Sequence, residues 1–146
     1  KSLPRQPRPA VVISVDPGET TGIAYWSDTG EFVEKEALTE EELFDKIEKL
    51  ADVTVVVCED YRLRQGKQMV QTGSRFVAVQ IIGALKSYAR RVGAKFVLQP
   101  ANVLTVAALH SGTKRPSNHA NSHDIDAYNH GYYFFETKGL LQPKPL

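Results

Sequence analysis

Apolar positions along the chain fall into two kinds of pattern, short β-branched runs and longer stripes at helical spacing. Val11-Val12-Ile13-Ser14-Val15 runs into Asp16 and is stopped by Pro17-Gly18, which predicts a first strand. Ile23 to Trp26 and Glu31 to Ala37 flank the turn signal Asp28-Thr29-Gly30, predicting an antiparallel hairpin. Thr39-Glu40-Glu41-Glu42 forms a capping box, and Leu43, Ile47 and Leu50 follow at helical spacing, so a helix is expected over 40–50. Val53 to Cys58 is a nearly unbroken apolar run, as expected of a strand covered on both faces. After a polar, basic loop (62–73), a long helix is expected over 74–92. Its core stripe is Val77, Ile81, Ile82, Leu85, Tyr88, Ala89 and Val92. Phe76 and Val79 lie off that stripe and give the helix more apolar surface than one sheet face requires; a subunit interface or a neighbouring helix would cover it. Lys95 to Leu98 reads as a short strand closed by Pro100. A short helix over 102–110 follows, then a polar loop over 111–121. The last helix is expected from 121 or 122 to 136, with Ile125, Tyr128, Tyr132 and Phe135 as its apolar stripe. Three leading strands followed by alternation indicate an α/β fold, a mixed five-stranded sheet with helices on both faces.

The 146 residues suffice for one domain with a substantial core, and no internal repeat is visible. The domain is expected over 10–137. It is preceded by a basic, Pro-rich flexible arm (1–9) and followed by a tail (138–146). No apolar run has membrane-spanning length, the N-terminus does not resemble a signal peptide, and the single Cys58 cannot form an internal disulfide. A cytoplasmic setting is therefore expected, without membrane association. Net charge is only +1, but its distribution is uneven. Residues 28–60 hold twelve of the seventeen acids against three of the eighteen Lys and Arg residues. An acidic flank on an otherwise basic body suits a polyanion bound on the basic side; a mixed solvated surface is the plainer alternative.

Three acidic positions change that picture. A carboxylate closing a buried strand, as Asp16 does, is costly unless it is solvated, paired or bound to a cation. Pro17 restricts Asp16 to extended geometry, and Gly18 permits a close approach; an Asx turn at a strand end is the bland alternative. Glu59 closes the Val-rich run in the same way. If the two strands are adjacent and parallel, both acids share one sheet edge, where a divalent cation relieves their repulsion. Asp60 is the neighbouring candidate, but side-chain alternation prevents both acids from facing one site. In His123-Asp124-Ile125-Asp126-Ala127, His123 and Asp126 are i and i+3 on one helix face, with Asp124 rotated away. His130, two turns further on, reads as a packing or surface histidine, while His119 lies in the preceding loop.

Together these segments resemble the RuvC family of Holliday junction resolvases, within the ribonuclease H-like superfamily, with a phage-type member among the forms the resemblance allows. The resemblance rests on Val-Ile-Ser-Val-Asp16-Pro17-Gly18-Glu-Thr-Thr21-Gly22, the Val-rich strand ending in Glu59, and His123-x-x-Asp126-Ala127, and spans about residues 11–136. It implies a ribonuclease H-like fold and selects Glu59 over Asp60. It implies that Asp16, Glu59, His123 and Asp126 are catalytic and hold two Mg²⁺ ions, with Mn²⁺ accepted, for two-metal in-line phosphodiester hydrolysis. Branched DNA (Holliday junctions, and also flaps and forks) and a second copy of the chain are the implied partners. Arg62, Arg64, Lys67, Lys114 and Arg115 flank the site in sequence and are the expected phosphate contacts, with Tyr61 a candidate wedge against unstacked bases. The turn from Asp16 to Gly22 is shorter than in the bacterial resolvases. Arg62 stands where they carry an apolar wedge, and their lysines have no clear match over 102–113, which broadens the expected substrate beyond the four-way junction. A YqgF-type nuclease of ribosomal RNA precursors and a catalytically inactive nucleic-acid-binding domain are the alternatives. Asp-x-Gly-x-Thr also opens sugar kinases and actin-like ATPases, but those need two such domains.

Overall fold

The structure is a computed structural model that describes residues 9–60, 73–114 and 122–145. Its strands are β1 (Val12–Asp16), β2 (Thr20–Trp26), β3 (Phe32–Thr39), β4 (Val55–Glu59) and β5 (Lys95–Gln99). Its helices are α1 (Glu40–Lys49), α2 (Gly73–Val92), α3 (Val103–Ser111) and α4 (His123–Thr137). The five strands form one sheet in the order β3-β2-β1-β4-β5. β1, β2 and β3 pair antiparallel, whereas β4 pairs parallel with both β1 and β5. This is the mixed α/β sheet that the hydrophobic pattern predicts. Most boundaries shift by one to three residues from the sequence expectation, and two of the shifts bear on the site. β2 begins at Thr20 because Thr21 and Gly22 extend the ladder opposite Leu38 and Ala37. β4 starts at Val55 and runs through Glu59, so this acid is a strand residue and keeps strand alternation.

Alternation divides the core into two layers. Ile13, Val15, Ile23, Tyr25, Val56 and Cys58 face Leu43 and Ile47 of α1 and Ile81, Ile82, Leu85, Tyr88 and Ala89 of α2. Val12, Ala24, Trp26 and Val57 face Ala127, Tyr132 and Phe135 of α4. The α1 capping box forms as its sequence specifies: Glu42 N–H donates to Thr39 Oγ1 (3.2 Å), and Thr39 N–H donates to Glu42 Oε1 (2.9 Å). On α2, Phe76 and Val79 are exposed, off the buried stripe. The tail is tied down where it is described, with Leu141 packed on the second layer and Lys144 N–H donating to the His110 carbonyl at 2.8 Å. Among the described residues no helix is long and apolar enough to cross a membrane.

α4 departs most from its expected amphipathic form. It lies between the sheet, mainly β1 and β2, and α3 on its outer side. Polar Asn129 and His130 are consequently as buried as Tyr132 and Phe135, while Ile125 and Tyr128 of the expected stripe are only half-buried. The helix approaches the sheet at two glycines. A methyl on Gly22 of β2 would lie 1.8 Å from the His123 carbonyl oxygen. One on Gly131 would lie 2.2 Å from Trp26 Nε1 and 2.6 Å from Ser14 Oγ. Between them, Ser14 Oγ donates to the Ala127 carbonyl (2.6 Å) and accepts from Trp26 Nε1 (2.9 Å). Gly131→Ala should therefore destabilise the fold by about 1–3 kcal/mol despite alanine's better helix propensity, because the clash exceeds what propensity returns. Gly83 of α2 has open space where its methyl would go, so Gly83→Ala should stabilise by about 0.5–1 kcal/mol. Denaturant unfolding of both variants checks the opposite signs.

Candidate active site

One row of residues across the sheet carries the site. Asp16 pairs with Gly22 in the β1–β2 ladder, and Glu59 pairs with Gln99 in the β4–β5 ladder. The parallel β1–β4 register ends at Val15 opposite Cys58, so its next step sets Asp16 beside Glu59. Val55 and Val57 face α4, and Glu59 continues their phase toward that helix, leaving the opposite phase to Asp60. Parallel pairing and alternation thus bring Asp16 and Glu59 to one edge and one face.

α4 begins over that edge. Gly22 admits the His123 backbone, and His123 Nδ1 lies 3.1 Å from Asp16 Oδ2. Asp126, one turn on, is buried at 7% exposure, beside Asp16 at 4% and Glu59 at 1%. Asp124 points elsewhere and pairs with Lys35 of β3 (3.1 Å) near the surface. Asp16 is raised from 3.8 to about 6, chiefly by burial, with Glu59 and Asp126 adding repulsion that the His123 hydrogen bond partly offsets. The His123 imidazole is raised in turn, mainly by its hydrogen bond to Asp16. The four expected residues therefore come together electrostatically as well as in space.

Three further residues support this arrangement, of which only His130 is weighed above, as a packing or surface histidine. His130 is fully buried, and its Nε2 lies 2.9 Å from Glu59 Oε1. Gln99 Nε2 donates to the His130 backbone carbonyl (2.9 Å). The available signal was spacing: His123, Asp126 and His130 at i, i+3 and i+7 form one seam on the helix. The seam's last member is packed, as its spacing suggests, but against a carboxylate. Asn129, also fully buried, accepts from Ser111 Oγ (2.8 Å) and donates to Thr113 Oγ1 (2.9 Å), anchoring the end of α3 just before exposed Lys114. Arg62, Arg64, Lys67 and Arg115, with Tyr61 and His119, lie outside the described residues.

Three carboxylates and an imidazole are suitable donors for a hard divalent cation, and the burial and repulsion acting on Asp16 are what such an ion would relieve. Among the described residues, no three His, Cys, Asp or Glu side chains stand close enough together to hold an ion as arranged here, and His123 is turned onto Asp16. The donor chemistry fits a metal; the coordination shell is not assembled.

No protein-family model matches the chain, and no curated protein matches it in sequence. Solved structures do match in fold. RuvC of T. thermophilus in complex with a Holliday junction substrate aligns over 93% of this chain and 100% of its own, with a TM-score of 0.60 and 16% identity. Thermus thermophilus RuvC in a second structure aligns over 91% and 99%, with a TM-score of 0.58 and 15% identity. The chain thus has a RuvC-like, ribonuclease H-like fold over the 91–93% of its length that aligns.

The charge state of Asp16 makes a prediction that needs no substrate. A carboxyl raised from 3.8 to about 6 holds its proton more tightly when folded. Stability therefore falls as pH rises from about 4 through 6. The raised His123 acts in the same direction at higher pH, its contribution being lost as pH rises through its folded value. Asp16→Asn should therefore raise metal-free stability at pH 8 by roughly 1–3 kcal/mol and flatten the slope below pH 6. Millimolar Mn²⁺ should raise the melting temperature of the wild type and leave that of Asp16→Asn unchanged. Thermal unfolding in EDTA and in Mn²⁺ measures both effects.

Proposed function

We propose that this protein is a metal-dependent, structure-specific DNA endonuclease that cuts branched DNA in the manner of a Holliday junction resolvase. One observation carries the proposal: Asp16 and Glu59, on adjacent parallel strands, face His123 and Asp126 at the start of α4. A RuvC-like fold of matching extent, described in one neighbour in complex with a Holliday junction substrate, supports it. Asp16, Glu59, His123 and Asp126 would hold the divalent ions, Mg²⁺ with Mn²⁺ accepted. When bound, these would supply an activated water and charge stabilisation for phosphodiester hydrolysis. The chain's own contribution is positional. Buried strand ends fix the carboxylates, the start of α4 brings His123 and Asp126 to them, and the protein around them excludes bulk water. Asp16 neighbours Glu59 in the sheet and meets His123 at the start of α4, which makes it the natural shared ligand.

Cations beside the site would grip the sugar-phosphate backbone. Lys114 is exposed and follows the segment anchored by Asn129; Arg62, Arg64, Lys67 and Arg115 are proposed for the same role on sequence position. The wild type should cut labelled four-way junctions, flaps or forks in Mg²⁺ or Mn²⁺ and be inactive in EDTA. Asp16→Asn should abolish cutting while retaining junction binding within about threefold. Cleavage of structured RNA in place of branched DNA would redirect the assignment to RNA processing; no cleavage of any nucleic acid with either metal would sink the enzyme.

Paired cuts across a junction need two active sites, and the exposed Phe76 and Val79 on α2 support a homodimer formed through that face. Sedimentation at micromolar concentration should give a dimer, and Phe76→Glu should shift it to monomer. A monomeric wild type under those conditions rules the dimer out.

A further inference from the structure

Glu59 and His130 form a second imidazole–carboxylate pair, more deeply buried than His123 and Asp16. The imidazole is fully buried and the carboxylate nearly so, at 0% and 2% side-chain exposure, 2.9 Å apart. They are 71 residues apart in sequence, on β4 and α4. Burying an imidazole against a carboxylate is costly unless the geometry is fixed, and here it is fixed from two sides. Gln99, opposite Glu59 in the sheet, donates to the His130 backbone carbonyl, an oxygen that an α-helix interior would otherwise use only within itself. Gly131, next in sequence, lets this turn of α4 lie against Trp26 and Ser14. The ring is therefore held by its own backbone, clamped at the neighbouring strand.

The donor is identifiable. Among the described residues, His130 Nδ1 has no hydrogen-bond partner. A proton on Nδ1 would be an unsatisfied buried donor, whereas a bare lone pair there costs less. The ring proton sits on Nε2 and is donated to Glu59 Oε1. A hydrogen bond from a donor fixed in place restrains the rotation of the carboxylate about its terminal bond and leaves a lone pair of the same oxygen for an ion.

We propose that His130 is a positioning residue for Glu59: it fixes the rotation of that carboxylate and so presets how Glu59 meets a divalent ion shared with Asp16. It touches neither substrate nor ion. The proposal rests on the metal-site reading above, and deepens it by adding an outer partner to one ligand, where such partners commonly tune affinity 10–100-fold.

The test is Mn²⁺ binding by titration calorimetry on the full chain, alongside cleavage. His130→Phe keeps the ring volume and removes the donor. His130→Gln can place an amide N–H where Nε2 was, and His130→Asn places one only where Nδ1 was. The expected result is a 10–100-fold weaker Mn²⁺ affinity in the Phe and Asn variants and a loss under about threefold in Gln. Cleavage at limiting Mn²⁺ should follow the same order and recover in part at saturating Mn²⁺. A merely structural role predicts lower melting temperatures without that order. Should the Phe variant melt below the assay temperature, the Gln and Asn variants alone decide. If wild type binds Mn²⁺ through Asp16 and all three variants bind it equally well, or if Gln is no better than Asn, His130 does not position Glu59. If wild type itself binds no Mn²⁺ that Asp16→Asn abolishes, the metal site fails and this role with it.

Discussion

The close seating of α4 on the sheet is the constraint on which both core and site depend. A helix normally packs on a sheet through its side chains, at about 10 Å. Here backbone meets backbone or indole at Gly22 and Gly131, with no room for a single methyl at either. Ser14, a hydroxyl inside an otherwise apolar strand, is satisfied by the Ala127 carbonyl and by Trp26 Nε1, so a buried polar group becomes a fixed link between β1 and α4. Two residues beyond Ser14 on the same face stands Asp16, and one residue before Ala127 stands Asp126. The link that stabilises the second core layer is thereby also the ruler that sets the separation of two candidate ligands.

That geometry has an electrostatic cost. Asp16, Glu59 and Asp126 are each under a tenth exposed, and the first is pushed up to about 6 by burial and by the other two. Hydrogen bonds from two imidazoles, His123 to Asp16 and His130 to Glu59, offset part of it. A fold selected only for stability would replace such a cluster with apolar side chains of similar size, which is commonly neutral or better. Buried repulsive carboxylates of this kind are the arrangement that the proposed metal site would account for, since perturbed groups cluster where chemistry needs them.

Much of this was legible in the sequence, and the part that was not has a physical cause. Strand ends such as Val-Asp16-Pro17-Gly18 combine a two-residue period, a breaker and a charge, so Asp16 could be located from local signals. Glu59 needed one more fact: the parallel β1–β4 pairing is non-local, and alternation alone left Glu59 or Asp60 open. α4 was harder. Periodicity assumes one wet face, whereas a helix enclosed by sheet and α3 carries polar residues on buried faces too. His130 and Asn129 therefore look unremarkable in sequence, although their partners, Glu59 and Ser111, lie far along the chain. Gly22 and Gly131 were invisible for the same reason: what a glycine makes room for is known only once its neighbour is placed.

The same reasoning accounts for a fold shared over 93% of the chain at 16% identity. The β1–β4 edge asks for specific residues at few positions: two acids on adjacent strand ends, a glycine opposite the first, and a donor seam on the covering helix. Elsewhere the requirement is only apolar and of suitable volume, which cores meet with many sequences. In this chain the row Gly22, Asp16, Glu59 and Gln99 is set by ladder register and not by neighbours in sequence. Within such a row, a residue added on α4 to hold Glu59 is a change the scaffold can absorb, since the helix backbone there is already fixed by Gln99 and Gly131. Variation among proteins of this fold is then expected in the partners of the carboxylates more than in the carboxylates themselves.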